Sequence, residues 1–398
     1  MKSFALIRAA VVAALLVILL TASAIPRSSV VAQSGRQPEK KKVEKKTDEK
    51  KGTEPQEPAP PLPKDFKQEP PIKLSTQVVN VDVTVVDKKS GRLYTNLTKK
   101  NFTIYEDGVK QETTNFASGE GPMTAVLLLE NNYRNRYWSN YWDPTFAQEI
   151  FQSAATFVQS FVKKDDHVAI VTYSMRPKVI QDFTGDGGRL YQAVVAAYRD
   201  TLNFSEANIY DALSFVLLGG KAIQLYGEEL GESEYTGVQE VEGHSAVVLV
   251  TLGIDTFSRI TYDKAMKIVS RAGVPIFIVG VGNLYFKKYG DNLPPENRLS
   301  FLQAQNGLNT FAKLSGGAYF PMTFEGEIRP IMQSISAMLR SQYSLGYSPT
   351  NTRREGKERK IKVEVDIDGD GQADNKQLDL KFREKYYEPD DNPNAKKK

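Results

Sequence analysis

Four short runs, almost wholly apolar and set between helix-length amphipathic segments, constrain this chain more than any other feature. Residues 125–129, 168–173, 246–250 and 276–279 show little or no alternation, the pattern of strands buried on both faces. Between them, residues 144–162 carry Phe146, Ile150, Phe151, Ala154, Phe157, Val158 and Phe161 on one side of a helix, and 190–198, 209–218, 262–272, 301–314 and 328–339 have the same period. Two of these helices end at glycine signals, Gly273 before Pro275 and Gly316-Gly317. Weaker strands are expected at 179–183 and 318–320. Alternating strands and helices predict a doubly wound, mostly parallel α/β sheet covered on both faces, over residues 119–341. Two long loops interrupt it. The acidic one, 228–242, reads as a solvated excursion; the one at 284–298, with Tyr285, Phe286 and Tyr289, reads as a contact surface.

Small β segments flank this domain. At 78–86 apolar and polar residues alternate, 102–105 is a second strand, and Glu106-Asp107-Gly108 is a tight-turn signal before a return strand at 109–113. Together they make a β module over 73–118. The segment 342–388 is a C-terminal β extension, in which 360–366 alternates as a strand and 378–382 is expected to be its partner. Residues 389–398 read as a disordered tail. Ahead of the module, 33–72 is a charged and then proline-rich linker that cannot bury an apolar face. Residues 1–32 read as an export signal: Lys2 and Arg8 precede the apolar run 9–20, and Ala22-Ser23-Ala24 and Val30-Val31-Ala32 are alternative cleavage sites. If uncleaved, the segment is the chain's one membrane contact.

Composition closes off several function classes. Among the 398 residues, 52 are basic and 48 acidic, so no dense basic face marks a nucleic-acid binder. There is no cysteine and there are two histidines, His167 and His244, which excludes disulfides, thiolate metal sites and histidine-rich metal centres. A Ser–His–Asp hydrolase is the one catalytic alternative. It would need those histidines at the sheet's ligand edge, whereas both sit at expected strand starts.

Leu97-Thr98-Lys99-Lys100-Asn101-Phe102, Tyr105-Glu106-Asp107-Gly108, Ile209-Tyr210-Asp211-Ala212-Leu213, Ala272-Gly273-Val274-Pro275, Gly280-Val281-Gly282, Leu314-Ser315-Gly316-Gly317 and Tyr343-Ser344-Leu345-Gly346-Tyr347 follow one another in a recognisable order. In this the chain resembles a family of exported bacterial proteins with a von Willebrand factor A-related domain, best known from acidobacteria. The resemblance spans about residues 76–385. It implies a von Willebrand A-like sheet and a ligand site outside the carboxyl ends of its strands. Metal-binding members of the A-type fold carry Asp-x-Ser-x-Ser after the first strand, a threonine on a second loop and an aspartate on a third. Here Glu130, Asn132 and Arg134 stand at the first three positions, Ala207 at the threonine and Leu252 at the aspartate. The resemblance therefore implies a dismantled metal site and no Mg²⁺. Glu130, Asn132, Asn208 and Asp255 remain as oxygens for an improvised one.

Around that edge lie Tyr133, Arg134, Arg136, Tyr137, Trp138 and Trp142, residue types enriched at binding hot spots. The bland alternative is that Trp138 and Trp142 pack a short helix onto the domain. A second metal candidate is Asp366-x-Asp368-x-Asp370 with Asp374, the opening of a calcium loop lacking its twelfth-position glutamate; a solvated turn is the alternative. The sequence thus points to an exported, non-catalytic scaffold in the periplasm or at the cell surface. Its expected partner is another envelope or extracellular protein, or a glycan, with metal-dependent adhesion as the competing reading.

Overall fold

The computed structural model describes residues 78–118, 121–132, 145–200, 206–220, 235–238 and 244–388. The signal, linker and tail, most of the acidic loop, and Tyr133, Arg134, Arg136, Tyr137, Trp138 and Trp142 lie outside the described residues.

In chain order, β1 (Val79–Asp87), β2 (Phe102–Glu106), β3 (Val109–Gln111) and β4 (Thr113–Ser118) precede the central domain. That domain runs β5 (Thr124–Glu130), α1 (Thr145–Phe161), β6 (His167–Tyr173), β7 (Pro177–Thr184), α2 (Gly187–Arg199), α3 (Ile209–Leu218), β8 (Ser245–Thr251), α4 (Tyr262–Ala272), β9 (Ile276–Gly280), α5 (Gly282–Tyr289), α6 (Pro295–Ser315), β10 (Tyr319–Pro321) and α7 (Ile328–Leu339). The chain closes with β11 (Tyr343–Tyr347), β12 (Glu358–Val365), β13 (Leu378–Lys381) and β14 (Lys385–Tyr387).

The six-stranded sheet has the order β7-β6-β5-β8-β9-β10, parallel throughout except for β7, which returns antiparallel along β6. Each central strand buries both faces. Ala125, Leu127 and Leu129 of β5 meet α1, α2 and α7 on one side, and Val126 and Leu128 meet α3, α4 and α6 on the other. This two-sided burial is why the strands read as continuous apolar runs. The expected α/β class and doubly wound, mostly parallel sheet with flanking strands are present.

The region 284–298 is not a loop. It contains α5 and the start of α6; Tyr285 is buried, and Phe286 stacks on Phe301 with ring centroids 4.6 Å apart. The Pro294-Pro295 pair starts α6, because proline is tolerated in the first helical turn, where no intrahelical N–H bond is lost. Tyr285 is therefore core, and the half-buried Phe286 and Tyr289 pack against it.

The flanking strands pair with one another across the length of the chain. One four-stranded sheet has the order β13-β1-β11-β4 and the other β14-β12-β2-β3. Val81, Val83 and Val85, Phe102 and Ile104, Tyr343 and Leu345, and Ile361 and Val363 share one core between them. The expected pairing of 378–382 with 360–366 does not occur: β13 pairs with β1, while β12 lies between β2 and β14. The β2–β3 hairpin forms as read, with Asp107 (φ 48°) and Gly108 (φ 84°) in the left-handed conformation such a two-residue turn demands.

Two buried ion clusters fix these parts. In the sandwich, the Glu106 carboxylate accepts from Arg359 Nη1 (2.8 Å), Tyr347 OH (2.7 Å) and Tyr386 OH (2.8 Å), and Arg359 Nη2 also reaches Glu388. At the base of the central sheet, Asp166 accepts from the Met123 and Lys163 amides and from Arg340 Nη2 (2.6 Å). This ties the end of α7 to the starts of β5 and β6.

Candidate functional site

The strand order reverses at β5: the chain steps outward through β6 and β7, then returns to add β8, β9 and β10 on the other side. In open α/β sheets the crevice at such a reversal, outside the carboxyl ends of the strands, is where ligands bind. Glu130 ends β5 and Thr251 ends β8, so these two residues face each other at that crevice. The register also sets Tyr173, the last residue of β6, beside Glu130.

These three side chains form one buried clasp. Glu130 Oε2 accepts from Thr251 Oγ1 (2.7 Å), the Leu252 amide (2.9 Å) and, at longer range, Tyr173 OH (3.5 Å). Thr251 Oγ1 shares a further hydrogen bond with Tyr173 OH (2.8 Å) and accepts from the Gly253 amide (2.9 Å). Burial raises the Glu130 carboxyl above its ordinary range, against the opposing pull of these donors. Burial likewise pushes the Tyr173 hydroxyl well up. Glu130 Oε1, Asn131 Oδ1 and Asn132 Oδ1 are buried without a hydrogen-bond partner.

The other expected ligands are engaged elsewhere. Asn132 Nδ2 donates to the Glu206 carbonyl (3.3 Å). Asn208 donates to the Met175 carbonyl (2.9 Å) and accepts from the Phe257 amide (3.1 Å), stitching the β6–β7 turn to the β8–α4 loop. Asp255 accepts from Ser258 Oγ (2.5 Å) and from the Tyr210 and Ser258 amides; burial raises its carboxyl despite them. Asn208 thus holds Met175 and Phe257 on neighbouring loops, and both expose apolar side chains, at 46% and 58%. Sequence reading missed both, since a single apolar residue in a loop carries no periodicity. Tyr173 and Thr251 were findable: they end the strands on either side of the one that Glu130 ends.

In the C-terminal loop, carboxylate oxygens of Asp366, Asp368 and Asp374 lie within 4.8 Å of one another. Asp370 is not part of that group; its carboxylate caps the Gln372 amide (2.7 Å). The two histidines stand at the amino ends of β6 and β8, where the His167 amide donates to the Met123 carbonyl and the Thr124 amide to the His244 carbonyl. They are thus at the opposite end of the sheet from the clasp. Among the described residues no helix is long and apolar enough to cross a membrane.

No family model and no curated protein matches the chain. Solved structures that it is similar to include proximal thread matrix protein 1 from the mussel byssus (TM-score 0.39, 13% identity, 59% of this chain and 50% of that one). Two others are an aerotolerance-related membrane protein from Bacteroides fragilis (0.37, 12%, 55% and 98%) and the vWF domain of the type V pili tip protein Mfa5 from Porphyromonas gingivalis (0.36, 11%, 55% and 95%). The chain spans about half the length of the mussel protein. At these scores the likeness adds nothing to a fold already traced strand by strand.

Proposed function

We propose that this chain is an exported, non-catalytic binding protein with a von Willebrand A-like domain. In this reading a protein partner of the envelope or extracellular space docks on the carboxyl-end edge of the sheet. The supporting observation is the clasp. Where the resemblance puts a metal in other A-type domains, donors occupy Glu130 Oε2, Thr251 directs its hydroxyl hydrogen bond to that oxygen, and Leu252 brings an amide instead of a carboxylate. Two buried oxygens, Glu130 Oε1 and Asn132 Oδ1, are left open there. A hard divalent cation takes about six oxygen ligands, and the few side-chain oxygens left open here support docking without one. Exposed Met175 and Phe257, with the aromatic and arginine-rich stretch from Tyr133 to Trp142, supply the kind of anchors that protein interfaces use.

The test is recovery of partners from envelope extracts by the full chain, by Met175→Ala/Phe257→Ala and by Trp138→Ala/Trp142→Ala. Equal recovery by all three would reduce this edge to packing. Melting with Mg²⁺ or EDTA addresses metal-dependent adhesion, since a bound ion raises stability; a Mg²⁺-dependent rise lost in Glu130→Gln favours that alternative.

The C-terminal loop is a separate proposal. The convergence of Asp366, Asp368 and Asp374 supports calcium there, and a Ca²⁺-dependent rise in melting temperature that disappears in Asp368→Asn is the expected result.

A further inference from the structure

A second concavity opens beside the clasp, between α6 and the loop after β8. It holds about 480 Å³, within the range of small-molecule sites. Its walls include Tyr210, Tyr262, Asp255, Gln303, Asn306 and Gly307. The two tyrosine rings meet edge to face at 5.8 Å, and both rest on Phe311, at 5.9 and 5.3 Å. They are therefore held rigidly while remaining half-exposed.

Gly307 is the feature that needs a reason. It lies inside the 21-residue helix α6, where glycine costs about 0.5–1 kcal/mol relative to alanine. Neither backbone nor packing requires it: its φ is not positive, and a Cβ would come no nearer than 3.5 Å, to Tyr262 Cε2. Gly253 across the groove differs, because its φ of +93° favours glycine whatever the space around it. An alanine at 307 would set its methyl against the edge of the Tyr262 ring, in ordinary van der Waals contact with Cε2.

The polar groups around the rings indicate the ligand. The half-exposed Tyr210 and Tyr262 and the exposed Gln303 and Asn306 carry their hydroxyl and amide groups at the groove. They ring the groove beside the Asp255 carboxyl. No lysine or arginine lines it, so an anionic ligand would meet no counter-charge. Aromatic faces carry negative potential and attract polarised C–H groups, while the surrounding amides and hydroxyls match a ligand rich in O–H. From Gly307 and this arrangement we infer that the α6 groove binds an uncharged carbohydrate, one pyranose ring lying on Tyr262 with its hydroxyls toward Asp255, Gln303 and Asn306.

This goes beyond the protein-docking reading and does not depend on it. Saturation-transfer NMR on the full chain with cellotriose, mannotriose and triacetylchitotriose tests it. At least one trisaccharide should show transfer to its ring protons. Tyr262→Ala should abolish that transfer. Gly307→Ala should weaken it at least tenfold while raising the melting temperature, two effects of opposite sign that a packing role cannot produce together. No transfer to any of the three sugars, or transfer that persists unchanged in both variants, overturns the inference. Neither result bears on protein recovery by the Met175/Phe257 edge.

Discussion

Glu149 makes the central domain sensitive to pH in a direction that can be worked out. It lies in the second turn of α1, 6% exposed, and its Oε2 is buried without a partner. Burial first, and then the charge of Glu325 in the short turn leading into α7, push its carboxyl up to about 7 from 4.5. A carboxyl that keeps its proton longer when folded carries no penalty below the unfolded value, and the full penalty once pH has risen through the folded value. Stability should therefore fall between about pH 4.5 and 7. At about 1.4 kcal/mol for each tenfold change in proton affinity, the ceiling is about 3 kcal/mol. Glu149→Gln keeps the shape and cannot ionise. Urea unfolding followed by circular dichroism should find it equal to the parent at pH 4 and up to about 3 kcal/mol more stable at pH 8.5. For a domain of this size that is a gain of roughly 6–12 °C in melting temperature. An equal difference at pH 4 and pH 8.5 would mean that the effect is packing, not ionisation.

Two other perturbations probe the buried ion clusters. Arg359→Met leaves Glu106 and Glu388 buried without their cation and should cost about 3–5 kcal/mol, read as loss of amide-exchange protection in β2, β12 and β14. At Asp166 burial works to raise the carboxyl, but hydrogen bonds from Arg340 and from the Met123 and Lys163 amides hold it below the ordinary value of 3.8. Its contribution is present above that value and is lost as pH falls through the folded one, so Asp166→Asn should destabilise at pH 6 and flatten the acid limb of the stability curve below pH 4.

The central sheet was legible because burial on both faces erases alternation, and Ala125–Leu129 has nowhere to sit except between two layers of helices. Pairing in the sandwich was not. β12 and β13 both alternate, and nearness in sequence suggested that they pair, but β1 and β2 arrive from the other end of the chain and take those edges. At the crevice, the place of Glu130 at the end of β5 could be read directly. The clasp could not, because it uses a backbone amide and a tyrosine whose depth is fixed by strand register. Gly307 was visible as a glycine within a helical period, but its neighbour Tyr262 belongs to another helix, and the groove exists only once α4 and α6 pack.

The interleaved sandwich also sets an order of events. β1 lies between β11 and β13, so it emerges during synthesis with both edges unpaired and stays so until the whole central domain has been made. Exposed strand edges of this kind are templates for association between chains. A product stopped before Tyr343 would thus lack β11, the neighbour that both β1 and β4 need, and would keep only the β2–β3 pairing within its own amino-terminal strands, leaving β1 and β4 open to association with another molecule.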